Sequence, residues 1–236
     1  MNISNEPISR KTKPIYSLTP FTLLDYPDKT ACIIWFAGCN MRCLYCYNPD
    51  IVLGKGTIDF ESVLEFLKTR KGLLEGVVLS GGECTHHKNI IPFIRKIKAM
   101  GFKVKIDTNG SKPFVLTELI KENLIDYVAL DFKALPSTFQ KITQSDLFKE
   151  FGESLLLLLN ASIKFEVRTT VHSDLIDKND FLKMIDYLEQ IGYEGNYYIQ
   201  HFINDVNTLA PLGYSHKQLK TKDFSTSKIQ VIFRDN

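Results

Sequence analysis

Three cysteines stand within one short run, Gly38-Cys39-Asn40-Met41-Arg42-Cys43-Leu44-Tyr45-Cys46. Thiolates at this C-x3-C-x2-C spacing select soft metals: zinc, copper(I) or iron in iron–sulfur clusters. A structural site is normally closed by protein ligands alone. Three thiolates would hold three irons of a four-iron, four-sulfur cluster and leave the fourth open to a non-protein ligand. Zinc is the competing reading, with a fourth ligand drawn from Cys32, Cys84, His86 or His87.

Four other segments carry polar groups able to act beside such a centre. Ser80-Gly81-Gly82-Glu83 joins an anion to two glycines that let a backbone edge approach a ligand closely. Alone, the run reads more readily as a plain turn. Asp107-Thr108-Asn109-Gly110 contains Asn-Gly, which is also ordinary turn chemistry. Leu130-Asp131-Phe132-Lys133 reads by itself as a solvated ion pair. Arg168 falls within an apolar run, where it needs either an exposed strand edge or a buried anion.

The elements that must position these groups follow from periodicity. Short apolar runs at 31–36, 77–80, 103–107, 127–131, 165–171 and 197–201 read as strands. Between them Phe60, Val63, Leu64 and Leu67 mark a helix with Asp59 as N-cap. Ile90, Phe93, Ile94 and Ile97 mark another, with Gly101 just past its end. Leu116, Leu119 and Ile120 begin a third, and 155–159 and 176–191 supply two more. Strands alternating with helices imply βαβ units and a parallel sheet. The count predicts an α/β chain folded as a partial (βα)6 TIM-like barrel rather than the eight-unit closed form. Ser80–Glu83, Asp107–Gly110 and Leu130–Lys133 then each close a strand, on the rim where parallel sheets collect ligands, while Arg168 lies inside one. A further strand is expected at 228–233, and residues from about 203 leave the alternation as a flanking segment.

Composition narrows the function classes. The chain has 236 residues, 44% hydrophobic and 24% charged, which suits a globular core. A net charge of +2, without a dense basic tract, gives no sign of a nucleic-acid partner. No apolar run approaches the ~20 residues of a membrane span. Residues 1–13 lack the apolar core of a secretory signal. We therefore expect an N-terminal arm over 1–16, a single domain over 17–236 and a cytoplasmic protein. The five cysteines, odd in number and three of them clustered, speak against a disulfide scaffold. No phosphate-loop or dinucleotide-binding glycine motif is present.

Two stretches carry a family resemblance: Thr19-Pro20-Phe21-Thr22-Leu23-Leu24-Asp25-Tyr26-Pro27, and Gly38 to Cys46 continued by Tyr47-Asn48-Pro49. They resemble the radical S-adenosylmethionine (SAM) enzymes that activate glycyl radical enzymes. They are most similar to the activating proteins of anaerobic ribonucleoside-triphosphate reductase. With Gly-Gly-Glu, Asp-Thr-Asn-Gly and Asp-Phe-Lys, the similarity runs from about residue 17 to 168 and fades after Phe202.

The resemblance implies a barrel of the radical SAM type, a 4Fe-4S cluster on Cys39, Cys43 and Cys46, and SAM on the open iron. Gly81, Gly82 and Glu83 would hold the methionine amino group. Tyr45 and Tyr47 would meet the adenine side. Asp107 and Asn109 would contact SAM or a monovalent cation, together with Asp131. Lys133 and Arg168 would reach the SAM carboxylate or ribose, and His201 or its neighbour Gln200 would complete the site. The implied partners are a glycyl radical enzyme, here anaerobic ribonucleotide reductase, and a one-electron donor such as flavodoxin or ferredoxin. Two positions depart from the pattern: Tyr47 replaces a frequent His, and Cys84 replaces a frequent Pro. Cys84 reads as a small buried hydrophobe or as a redox thiol. Residues 47–80 contain no cysteine, so one cluster is expected. Other readings are a radical SAM enzyme acting on a small molecule or peptide, and a zinc or electron-transfer module.

Overall fold

The structure, a computed structural model, describes residues 12–216, 219 and 224–234. Its contacts divide the chain into two compact units. The first comprises Met1–Cys39, Asp50–Asp107 and Phe114–Tyr127; the second comprises Asn40–Pro49, Thr108–Pro113 and Val128–Asn236.

In the first unit, strand β1 (Ile15–Thr22) runs antiparallel to β2 (Ala31–Phe36). Strands β3 (Gly76–Gly81) and β4 (Lys103–Thr108) continue the ladder in parallel, with Ile33 opposite Val78 and Leu79 opposite Ile106. Near-continuous apolar sequence suits strands buried on both faces. Helix α1 (Pro49–Leu53) follows the cysteine loop. Helix α2 (Phe60–Lys68) starts where Asp59 accepts the Ser62 amide at 2.8 Å, and helix α3 (Ile90–Ala99) follows β3. Each buries its expected apolar stripe, so Phe60 and Phe93 meet at 4.2 Å between ring centroids and Phe36 joins them. Helix α4 (Pro113–Lys121) buries Leu116 and Leu119. Tyr26, from the Asp-Tyr-Pro stretch, is core: a Cβ on Gly76 would fall 2.7 Å from its ring.

Asp126 ties this unit together electrostatically. Its Oδ2 accepts Lys98 Nζ at 2.6 Å and the Val104 amide at 2.8 Å, while Oδ1 accepts Lys103 Nζ at 2.9 Å. Partial burial pushes the carboxyl upward, but these donors outweigh it and hold its pKa below the ordinary aspartate value. A depressed folded pKa contributes stability above the unfolded value, near pH 4, and loses it as pH falls through the folded value. Asp126→Asn is therefore expected to lower stability by about 1–2 kcal/mol at pH 7 and to flatten the acid limb of the stability profile. Denaturant unfolding at pH 7 and pH 3 measures both; an unchanged acid limb would remove this role.

In the second unit, β5 (Tyr127–Asp131) leads into Phe132, whose amide donates to Arg168 O at 2.8 Å in β6 (Lys164–Val171). Parallel strands β7 (Gly195–His201) and β8 (Ile229–Arg234) complete the run, with Tyr197 opposite both Val167 and Val231. Helices α5 (Pro136–Thr143), α6 (Phe148–Asn160) and α7 (Lys178–Gln190) build a ring cluster in which Phe151 and Tyr187 meet Phe132, Phe148 meets both of them and Phe139 meets Phe148. Buried Glu166 is matched by a two-pronged contact from Arg234 at 3.2 and 2.9 Å.

The six parallel strands expected from the sequence are all present, each within two residues of its predicted bounds, and the added strand is Ile229–Arg234. Elements beyond expectation are β1, α1, α5 and a 3-10 turn at Cys84–His86. The arm expected over 1–16 lies outside the described residues as far as residue 11; Ile15 and Tyr16 stand in β1. Among the described residues no helix is long and apolar enough to cross a membrane.

Candidate functional site

In the first unit the cysteine loop leaves β2 through Ala37 and Gly38. Ala37 N donates to Pro14 O at 2.9 Å and Gly38 N to Ile51 O at 2.8 Å, so the residue before β1 and helix α1 both grip the exit. Gly82 N donates to Phe36 O at 2.8 Å and Glu83 N to Gly38 O at 2.9 Å. The two glycines are required here by the chain itself: a Cβ on Gly81 would lie 2.3 Å from Phe36 N, and one on Gly82 1.8 Å from Gly38 O. Gly-Gly-Glu thus fixes the segment that presents Cys39.

Glu83 is 1% exposed, and its Oε1 accepts Thr85 N at 3.0 Å and Thr85 Oγ1 at 2.5 Å, capping the 3-10 turn. Cys84 is fully buried, with Sγ 3.6 Å from Asp107 O. Burial first, then Glu83 and Asp107, pushes its thiol well above the ordinary cysteine value. A thiol held protonated in this way behaves as a small core residue. Asp107 accepts from Ser80 Oγ at 3.1 Å through Oδ2 and from Lys105 Nζ through Oδ1. His87 Nε2 lies 3.0 Å from Ala37 O.

In the second unit the rest of the loop is held by main-chain bonds and by the Asn40 side chain. Arg42 N donates to Thr143 O at 2.8 Å and Leu44 N to Ile142 O at 2.9 Å, both at the end of α5. Leu209 N donates to Cys46 O at 3.2 Å and Ala210 N to Leu44 O at 3.3 Å, so the segment after β7 braces the loop from another direction. Asn40 Nδ2 donates to Ser111 Oγ at 2.7 Å, and its Oδ1 accepts Asn109 Nδ2 at 3.0 Å. Asn109 Oδ1 in turn accepts Ser111 N at 2.9 Å. The Asp-Thr-Asn-Gly turn therefore anchors the residue beside Cys39.

Asp131, Lys133 and Arg168 form one ionic group. Arg168 Nε and Nη2 stand 3.0 and 2.9 Å from Asp131 Oδ1, and Lys133 Nζ stands 3.0 Å from Oδ2. Arg168 has the anionic partner its position demanded. Burial opposes the Lys133 ammonium, yet Asp131 with Tyr45 and Cys43 outweighs it and lifts its pKa well above the usual lysine value. Lys133 also lies 6.0 Å from the centre of the Tyr45 ring. Tyr45 is buried, and among the described residues its Oη has no hydrogen-bond partner. Tyr47 Oη accepts Ile203 N at 2.9 Å, and its ring rests on Phe202. His201 ends β7 with its ring stacked on Phe233 at 5.0 Å.

An unpartnered buried hydroxyl destabilises a protein by about 1–3 kcal/mol relative to its absence. Tyr45→Phe is therefore expected to raise the stability of the metal-free protein by about 1 kcal/mol. Thermal unfolding of the two proteins measures it; a lower midpoint for the variant would show a partner for that hydroxyl.

All five cysteines are free thiols; Cys32, Cys43 and Cys84 are buried and Cys39 and Cys46 partly exposed. Among the described residues no three His, Cys, Asp or Glu side chains close around a single metal ion. Sequence reasoning missed Lys105, Asn40 and Ser111. Asn40 could have been found, since a polar residue beside a candidate ligand cysteine needs its own anchor.

The family model of the radical SAM superfamily matches residues 33–194, more than half of the chain. The chain belongs to this superfamily. A Methanocaldococcus jannaschii protein with the provisional name glycyl-radical enzyme activating enzyme is 35% identical over 179 residues, 70% of this chain and 71% of that one. The pyruvate formate-lyase-activating enzyme of Clostridium pasteurianum is 28% identical over 185 residues, 75% and 76% of the two chains. This radical SAM protein is therefore an enzyme of the glycyl-radical enzyme activating branch. Streptococcus suis SuiB bound to S-adenosylmethionine superposes with a TM-score of 0.60 at 14% identity, over 77% of this chain and 45% of SuiB. Escherichia coli QueE gives 0.52 at 15% identity over 80% and 83%. Those likenesses show the fold, the radical SAM α/β fold expected from the sequence.

The superfamily implies a 4Fe-4S cluster and S-adenosylmethionine. The chain's own chemistry fits them: three free thiols close in sequence, a half-buried cation at Lys133 and, among the described residues, a hydroxyl without a partner at Tyr45.

Proposed function

We propose that this enzyme uses Cys39, Cys43 and Cys46 to hold one 4Fe-4S cluster with an iron open to SAM, and that it activates anaerobic ribonucleotide reductase. When bound and reduced by one electron, that cluster and SAM would supply methionine and a 5′-deoxyadenosyl radical able to take a hydrogen atom from a glycine Cα of the partner. The observation that carries this reading is the cysteine loop, with three free thiols on a backbone fixed by neighbouring main chain. Relatives named as activating enzymes support the partner class. The stretches most similar to reductase-activating proteins support the particular partner.

The chain's residues bind, orient and neutralise. Gly81, Gly82 and Glu83 would present backbone and carboxylate to the SAM amino group. Lys133 and Arg168 would offer cationic donors to its carboxylate or ribose. Asp107, Asn109, Asp131 and His201 would line the same ligand, with Tyr45 and Tyr47 on its adenine side. Residues 17–236 would serve as one catalytic domain, and the electron would come from a flavodoxin or ferredoxin in the cytoplasm.

Anaerobic reconstitution with iron and sulfide, followed by electron paramagnetic resonance with and without SAM, tests the open iron. A spectrum that shifts on SAM addition is expected. With the reductase added, a glycyl radical doublet should appear together with one 5′-deoxyadenosine per radical formed. A spectrum indifferent to SAM would end this reading.

A further inference from the structure

We propose that Lys105 supplies, from within the chain, the positive charge at Asp107 that the family resemblance assigned to a monovalent cation, so that this enzyme binds SAM without an alkali ion. The SAM arm of this inference rests on the functional reading above; the cation arm does not.

Lys105 stands in the middle of β4 and is 2% exposed. A lysine is buried this deeply only when its charge is answered. The answer is Asp107, two residues on and so on the same face of the strand, whose Oδ1 accepts the Lys105 ammonium. The other oxygen, Oδ2, accepts Ser80 Oγ at 3.1 Å. Both oxygens thus carry donors from the chain, and one donor is a full cation.

The second carboxylate assigned to the cation is in the same condition. Asp131 meets Arg168 through Oδ1 and Lys133 through Oδ2. A hard alkali ion selects oxygens whose negative charge is still to be matched. The Lys105–Asp107 pair is neutral by itself. A further cation beside it would be an unmatched charge in surroundings that screen it poorly. The ammonium does what a bound ion would do: it fixes the carboxylate and balances it. Being covalently attached, it needs no ion from solution.

The test has two arms. In the metal-free protein, the sodium-23 resonance linewidth should be the same for wild type and for Asp107→Asn, while Lys105→Met should broaden it by vacating the place of the ammonium. In the reconstituted enzyme, SAM affinity should agree within about twofold between choline chloride and potassium or sodium chloride. Lys105→Met should lose about tenfold or more in choline and regain most of it in potassium or sodium. Lys105→Arg, which keeps the charge, should remain indifferent to the salt and guards against a merely unfolded methionine variant. Excess sodium broadening in wild type that Asp107→Asn abolishes would overturn the proposal. So would a wild type whose SAM affinity needs the alkali ion. Failure of SAM to bind in any salt would sink the functional reading instead, and the linewidths would still decide the question of the cation.

Discussion

Cys43→Ala is expected to lower 5′-deoxyadenosine formation by about three orders of magnitude or more, a loss of at least ~4 kcal/mol in barrier lowering. The fold should survive. Cys43 is small, and the loop around it is held by main-chain bonds: Cys46 N to Cys43 O at 3.0 Å and Leu44 N to Ile142 O at 2.9 Å. We expect a stability change of about 1 kcal/mol, with iron and sulfide content falling sharply. Burial pushes the Cys43 thiol up to about 11, with Lys133 acting in the opposite sense. The thiol therefore carries its proton at neutral pH in the metal-free protein, and ligation must release it. Loading should accordingly improve as pH rises from 7 toward 9. Iron analysis and chromatography of deoxyadenosine read both effects. A variant that cleaves SAM at the wild-type rate would remove Cys43 from the ligand set.

Gly82→Ala should be the most damaging single methyl group in the first unit. Its Cβ would sit 1.8 Å from Gly38 O, 2.5 Å from Gly38 C and 3.2 Å from Cys39 N. None of these is a flexible side-chain end. Gly38 is itself pinned, donating to Ile51 O and accepting from Glu83 N. The backbone must therefore move at the residue that precedes Cys39. A loss of about 2–4 kcal/mol is expected, with reduced iron content in whatever remains folded. Gly38→Ala is the informative contrast. Its φ of +82° is unfavourable for alanine, but the space around it is open. About 1 kcal/mol is expected there. Urea unfolding of the two variants ranks them; equal losses would contradict the steric account.

Much of this was legible in the sequence, for reasons that can be named. Strands such as Ala31–Phe36 and helices such as Phe60–Lys68 announce themselves through period. β1 does not: Ile15–Thr22 mixes serine, threonine and proline with apolar residues, so the family motif within it was visible and the strand was not. α5 was missed because Pro136–Thr143 offers only Phe139 and Ile142 as long apolar anchors between polar residues. The candidate site residues were read from their places at strand ends, yet their hydrogen-bond and ionic partners were not. Lys105, flanked in Lys103-Val104-Lys105, reads as a solvent-facing lysine, and nothing local says that Asp107 draws it inward. Likewise the sequence suggests that Gly-Gly-Glu approaches a ligand, whereas the glycines first make room for the chain's own Gly38.

The pairing of Ile15–Thr22 with Ala31–Phe36 has a consequence for life at high concentration. An uncovered β2 would be a row of open amides ready to recruit another molecule into a growing aggregate. β1 covers that row and is itself a poor template: Pro20 lacks an amide hydrogen, and the ladder slips between Ile15 and Ser17 and again between Thr19 and Thr22. The strand that escaped notice in the sequence thus doubles as a guard against fibre-like self-assembly.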